Sequence, residues 1–100
     1  MNKEEILKKL RENKEEIKKF GVEKIGIFGS FARDEAKENS DIDIVVKFER
    51  GKATFKNVAG LIDFLEELFD RKVDLLTPDG IESIRIKDVK EGIKRDIVYV

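Results

Sequence analysis

The chain has 100 residues, about the size of one modest domain, and its 21 Lys plus Arg stand against 22 Asp plus Glu for a formal net charge of -1; a chain this short buries one core and not two, so a single domain over residues 1–100 is expected. The balanced charge offers no broad basic field for a nucleic-acid backbone, and the absence of Cys and His excludes disulfides, thiolate metal sites, Cys nucleophiles and imidazole chemistry. No stretch approaches the roughly 20 apolar residues of a membrane span and the charged first residues hold no signal-peptide core, so a cytoplasmic protein is expected; 43% charged residues, mostly Lys and Glu beside many Ile, point to a thermophile source.

Asn2 followed by Glu5 has the spacing of a helix N-cap with an acidic partner. Ile6, Leu10, Ile17 and Phe20 then recur at helical spacing until Gly21, which predicts a first helix over 3–20. The Ile-rich "KIGIFG" predicts a strand over about 23–28, closed by Gly29 and followed by a short helix starting at Ser30. "DIDIVVKF", 41–48, reads as the second strand and Gly51 as a turn. Thr54 can cap a helix in which Val58, Leu61, Ile62, Leu65, Leu68 and Phe69 form one apolar stripe. "RKVDLLT" reads as a third strand ended by a "PDG" turn, "DVKEGIKR" as a last short helix with Asp88 at its cap, and "DIVYV" as a terminal strand. Strands alternating with helices predict an α/β or α+β domain, a small mixed sheet covered by helices, without repeats or low-complexity tracts.

The second strand carries the chemistry. Side chains alternate along a strand, so Asp41, Asp43 and Val45 share one face while Ile42, Ile44 and Val46 take the core face. Asp is depleted in strands and like charges side by side repel, so two acids there need a reason. Their Cα atoms, roughly 6 to 7 Å apart, allow both carboxylates to reach metal ions spaced about 3.5 to 4 Å apart. Upstream, Gly29 permits a tight turn and Ser30 stands where a helix begins, a place where a hydroxyl and free backbone N–H groups suit a phosphate. A phosphate cradle and a paired-carboxylate site on consecutive elements are what nucleotide–Mg²⁺ chemistry needs.

Gly29-Ser30, ten intervening residues and Asp41-Ile42-Asp43 resemble the signature of the DNA polymerase beta-like nucleotidyltransferase superfamily; "GSFAR" and "SDIDIVV", with the chain length, resemble its minimal nucleotidyltransferase (MNT) branch. The resemblance implies a third carboxylate on a neighbouring strand, and the only downstream acid within an apolar strand pattern is Asp74 in "KVDLL", alternating with Val73 and Leu75. It implies that Asp74 helps hold metal and accepts the proton of the attacking hydroxyl, and that Arg33, matching the arginine of the motif, lies close to the nucleotide. Arg33 has no evident local partner, Lys37 having the wrong sign and Asp34 being too close in sequence. Asp34 stands where many members have Gly. "ERGK", 49–52, reads as a solvated charged turn, and Tyr99 as partly buried packing in a terminal strand.

The implied chemistry is Mg²⁺-dependent nucleotidyl transfer from ATP, with two ions on Asp41, Asp43 and Asp74 and the phosphates on Gly29, Ser30 and Arg33. Stand-alone MNT proteins resemble antitoxins that transfer AMP to a tyrosine of a partner HEPN-domain ribonuclease toxin, which implies a heteromeric complex and no direct nucleic-acid binding. The alternatives are a small-molecule transferase of the aminoglycoside-modifying kind and a non-catalytic antitoxin that neutralises its partner by binding alone. Small size and the missing acceptor domain weigh against the former, intact ligand positions against the latter.

Overall fold

Helix α1, Lys3–Glu12, opens the computed structural model, which describes residues 1–100. Asn2 caps it as its spacing implies, its side-chain oxygen accepting from the Glu5 N–H at 3.0 Å. The helix does not run to 20. Asn13 interrupts it: the Asn13 amide side chain and backbone N–H both donate to the Lys9 carbonyl, at 2.8 and 3.1 Å, and a second helix, α2, Lys14–Lys18, follows. Asn competes with the backbone for helical carbonyls, and here that competition bends the chain. The apolar positions still converge, since Ile6, Leu7, Leu10 and Ile17 are all buried.

Four strands form one mixed sheet in the order β3-β2-β1-β4. β1, Val22–Phe28, pairs antiparallel with β2, Ile42–Phe48, while β3, Val73–Leu76, joins β2 in parallel and β4, Val98–Tyr99, joins β1 antiparallel. A single-turn helix, α3, Gly29–Ala32, follows β1, and the long α4, Phe55–Phe69, supplies the parallel crossover from β2 to β3. Thr54 caps α4 through the Asn57 N–H, and Asp70 ends it in the left-handed conformation at φ 51°. α4 buries Leu61, Leu65 and Phe69 against the sheet.

The main core lies on one face of that sheet, where Ile25, Ile27, Ile42, Ile44, Val46 and Val73 meet α1, α2 and α4. The other face is partly covered as well. Here "PDG" is not a turn: Pro78 is the first residue of helix α5, Pro78–Glu82, whose cap is the Thr77 side chain accepting from Gly80 N–H at 3.1 Å. Proline at a first helical position loses no hydrogen bond, so a Thr-Pro pair starts a helix as readily as it ends a strand. α6, Lys87–Asp96, has Ile86 at its N-cap position, and Asp88 lies in its first turn rather than at the cap. Ile81 of α5 buries with Phe28 and Val45 in a second, smaller cluster that Ile93 of α6 and Tyr99 flank. Val45 therefore shares the acidic face yet is fully buried, because α5 roofs that half of the face.

β4 approaches β1 closely at Gly26. A Cβ at Gly26 would overlap the Val98 carbonyl oxygen and lie 2.8 Å from Tyr99 Cα, both backbone atoms that cannot swing aside. Gly26→Ala should therefore detach β4 and destabilise the protein by about 1–3 kcal/mol, read from urea unfolding. An unchanged midpoint would show that β4 contributes no fixed contact.

Candidate active site

The register of three strands assembles the site. β2 and β3 run in parallel with Asp43 opposite Asp74, so the two carboxylates project from the same face of strands about 4.8 Å apart. On the other side of β2, Asp43 pairs with Phe28, the last residue of β1. Gly29 comes next, at φ 72°, and a Cβ there would overlap Asp43 Oδ2. Glycine is required twice over, for the left-handed turn and for the approach of backbone to carboxylate. Asp41 precedes β2 and is exposed, as is Asp74, whereas Asp43 is half-buried.

Partial burial first, then the charges of Asp74 and Asp41, push the Asp43 carboxyl above its ordinary pKa, and Arg33 draws it back down. Asp41, Asp74 and Arg33 thus all lie within electrostatic reach of Asp43. The side chains of Asp41, Asp43 and Asp74 do not close into a ready-made metal cluster. Their oxygen donors and their mutual repulsion nevertheless suit a hard divalent cation, which takes carboxylate oxygens and offsets the charge. The residues present fit Mg²⁺.

Ser30 is the second residue of α3 and not its cap; that position belongs to Phe28, and no side chain caps the turn. The first-turn amides are thus left for an outside acceptor, beside Gly29 and Asp43. Arg33, at the end of α3, is not without partners. Its Nε pairs with Glu35 Oε1 and its Nη1 with Asp96 Oδ2, each at 2.7 Å. Glu35 was within local reach in the sequence, but Asp96 lies 63 residues away at the end of α6, with no local signal to reveal it.

The acids line no enclosed cavity. The larger clefts lie elsewhere: about 290 Å³ among Pro78, Ile81, Glu82, Lys94, Ile97 and Tyr99, and about 310 Å³ between the Lys47–Ala53 turn and Thr77–Asp79. Size alone would select these, but neither contains a group of convergent acids. The face around Asp43 is open, which suits an acceptor that arrives from outside.

The raised Asp43 pKa has a consequence for stability. Ionised Asp43 costs folding free energy; the cost is absent below the unfolded carboxylate pKa, grows as pH rises through the interval up to the raised folded value, and is full above both. In metal-free buffer at neutral pH, Asp43→Asn should melt up to a few degrees above the unsubstituted chain, with the gap closing below about pH 4. An equal or lower melting temperature at neutral pH would contradict the repulsion.

Comparisons with known proteins bear on the fold and the family. The family described as "Nucleotidyltransferase domain" matches residues 3–100. The protein adenylyltransferase MntA of Thermococcus cleftensis is 40% identical over 98 residues, covering 97% of this chain and 94% of the relative. A Methanocaldococcus jannaschii protein, provisionally named a protein adenylyltransferase, is 43% identical over 98 residues, 96% of this chain and 95% of the relative. Among solved structures, a provisionally assigned minimal nucleotidyltransferase superposes with a TM-score of 0.68 at 30% identity, covering 98% of this chain and 95% of that one. A variant of the toxin-antitoxin complex MntA-HpeT gives a TM-score of 0.55 at 25% identity, covering all of this chain and 72% of the other. With a family match along nearly its whole length and the polymerase-beta-like sheet beneath it, the chain belongs to the minimal nucleotidyltransferases and is an enzyme of that family.

Proposed function

We propose that the chain transfers AMP from ATP to a tyrosine of a partner HEPN ribonuclease toxin, with Mg²⁺ bound, and so acts as that toxin's antitoxin in the cytoplasm. The observation that carries this reading is the register of Asp74 beside Asp43 with Gly29 packed on the same carboxylate. The protein adenylyltransferase relatives support the AMP donor, and the toxin-antitoxin relative supports the partner. The open face supports a macromolecular acceptor over a small molecule, which a closed pocket would hold better.

Asp41, Asp43 and Asp74 are the residues that would hold Mg²⁺. When bound, the metal supplies positive charge to the phosphates and acidifies the attacking hydroxyl. The Ser30 hydroxyl and the uncapped amides of α3 donate hydrogen bonds to phosphate oxygens. Arg33 adds positive charge beside them, and exchanging Asp96 or Glu35 for a phosphate oxygen keeps its guanidinium paired. Asp74, on the exposed side of the site, accepts the proton of the tyrosine hydroxyl. The tyrosine oxygen then bonds to the α-phosphorus, the bond between the α-phosphorus and its bridging oxygen breaks, and pyrophosphate leaves. Asp43, half-buried against Gly29 while Asp41 and Asp74 are exposed, marks where the chemistry occurs.

The test is intact mass of the partner toxin after incubation with the protein, ATP and Mg²⁺. One or more additions of AMP are expected, lost on chelation and restored by added Mg²⁺. Asp74→Asn should lower kcat by about 10²–10⁴-fold, and Asp41→Ala with Asp43→Ala should abolish transfer. Neutralisation of the toxin without mass change would leave the binding-only antitoxin as the correct reading.

A further inference from the structure

Arg71 stands between the end of α4 and the start of β3, outside every acid described so far. Its Nη1 donates to the carbonyl of Glu38 and, at 3.2 Å, to that of Ser40. Its guanidinium carbon lies 5.4 Å from the centre of the Phe31 ring, and Phe31 is buried in the main core. One side chain thus ties two other segments to its own. Phe31 adjoins Ser30, Ser40 adjoins Asp41, and Arg71 lies two residues before the strand that carries Asp74.

The spacer between the Gly-Ser turn and the paired acids contains no strand or long helix. Its start is tied down by buried Phe31 and Ala32 and by the Arg33–Asp96 pair, while nearer Asp41 the fastening is local: Lys37 N–H donates to Ser40 Oγ at 2.8 Å, and Ser40 N–H to the Lys37 carbonyl at 3.0 Å. Across to β3 the parallel ladder of β2 begins at Ile42, whose N–H also donates to the Lys72 carbonyl at 3.0 Å. Glu66 secures the other side of β3 by accepting from Val73 N–H at 3.0 Å. Exposed Asp41 thus lies between buried Ile42, the start of that ladder, and the Ser40 carbonyl that Arg71 grips. A guanidinium suits the task because it is flat enough to stack on Phe31 while its edge donates to carbonyls; an ammonium at one point cannot do both well.

We propose that Arg71 is a positioning residue of the transfer site, a clamp that holds Asp41 and the Gly29-Ser30 turn in fixed relation to Asp74. The proposal rests on the reading of the three aspartates as the metal-holding set. A side chain that orients metal ligands changes metal affinity, about 10–100-fold in comparable cases. One that merely stabilises a loop lowers the melting temperature and leaves the folded site unchanged.

The experiment uses the full chain and compares the unsubstituted protein with Arg71→Met and Arg71→Lys. Mn²⁺ binding in the presence of a non-hydrolysable ATP analogue is followed by electron paramagnetic resonance, AMP transfer by mass, and folding by thermal melting. The expected result is Mn²⁺ affinity at least 10-fold weaker and kcat about 10²-fold lower in Arg71→Met, with the KM for the protein acceptor unchanged and little recovery in Arg71→Lys. Should Arg71→Met fail to fold, Arg71→Lys, which keeps the charge, carries the comparison, and a 10-fold or greater loss of Mn²⁺ affinity in it supports the clamp. Wild-type Mn²⁺ affinity and kcat in a folded variant overturn the clamp while the site reading stands. Absence of both Mn²⁺–nucleotide binding and transfer in the unsubstituted protein overturns the site reading, and the clamp with it.

Discussion

Two carboxylates on adjacent parallel strands, Asp43 and Asp74 in direct register, are the constraint on which the rest of the site depends. Like charges in that position repel, and the raised pKa of Asp43 records the cost together with its partial burial. A fold tolerates such a cost only where the surrounding structure over-determines it. Here the opposite face of the same strands supplies the restraint. Ile42, Ile44 and Val73, directly adjacent to the acids in sequence, are buried in the main core, so a slip of one residue in either strand would expose them and bury the acids. Hydrophobic register thus enforces electrostatic strain.

The same economy explains the Gly-Ser turn. β1 ends at Phe28, opposite Asp43, and the chain must leave the sheet at once without striking the carboxylate. Only glycine leaves room for Asp43 Oδ2 while turning with positive φ. Backbone amides therefore emerge beside the acids, and an anion drawn to those amides is brought close to any cation the acids hold. α5 and α6 close the far half of this face over Val45 and Phe28, leaving the acidic half open. The roof limits the site to one end of the strands, and its anchor to α3 is the pair from Asp96 to Arg33.

Much of this was legible in the sequence because the signals were local. The Asn2 and Thr54 caps, the stripe on α4 and the alternation of acids with Ile in "DIDIV" each lie within a few residues, and each corresponds to an observed element. Asp74 was named from the third carboxylate that the resemblance implies, with its alternation between Val73 and Leu75 in support, and the parallel register sets it opposite Asp43. What escaped depended on competition or on distance. Asn13 breaks a helix whose apolar period runs through it unbroken, because its amide takes a backbone carbonyl. Thr77-Pro78 has the composition of a turn and the geometry of a helix start. The partner of Arg33 on α6 and the carbonyls held by Arg71 are contacts of the folded chain alone, 63 and more than 30 residues away in sequence. Burial of Val45 follows from α5 and could not be read from β2.

In the proposed reading, Asp41, Asp43 and Asp74 together hold the metal of a nucleotide whose phosphates rest on Gly29 and Ser30. The most direct measurement is a crystal structure with Mn²⁺ and a non-hydrolysable ATP analogue, with the metal located by anomalous scattering. The account predicts an anomalous peak within coordination distance of Asp43, shared with Asp41 and Asp74, and phosphate oxygens against the amides of α3. A nucleotide seated in the cleft between α5 and α6, or an anomalous peak away from all three aspartates, would contradict it.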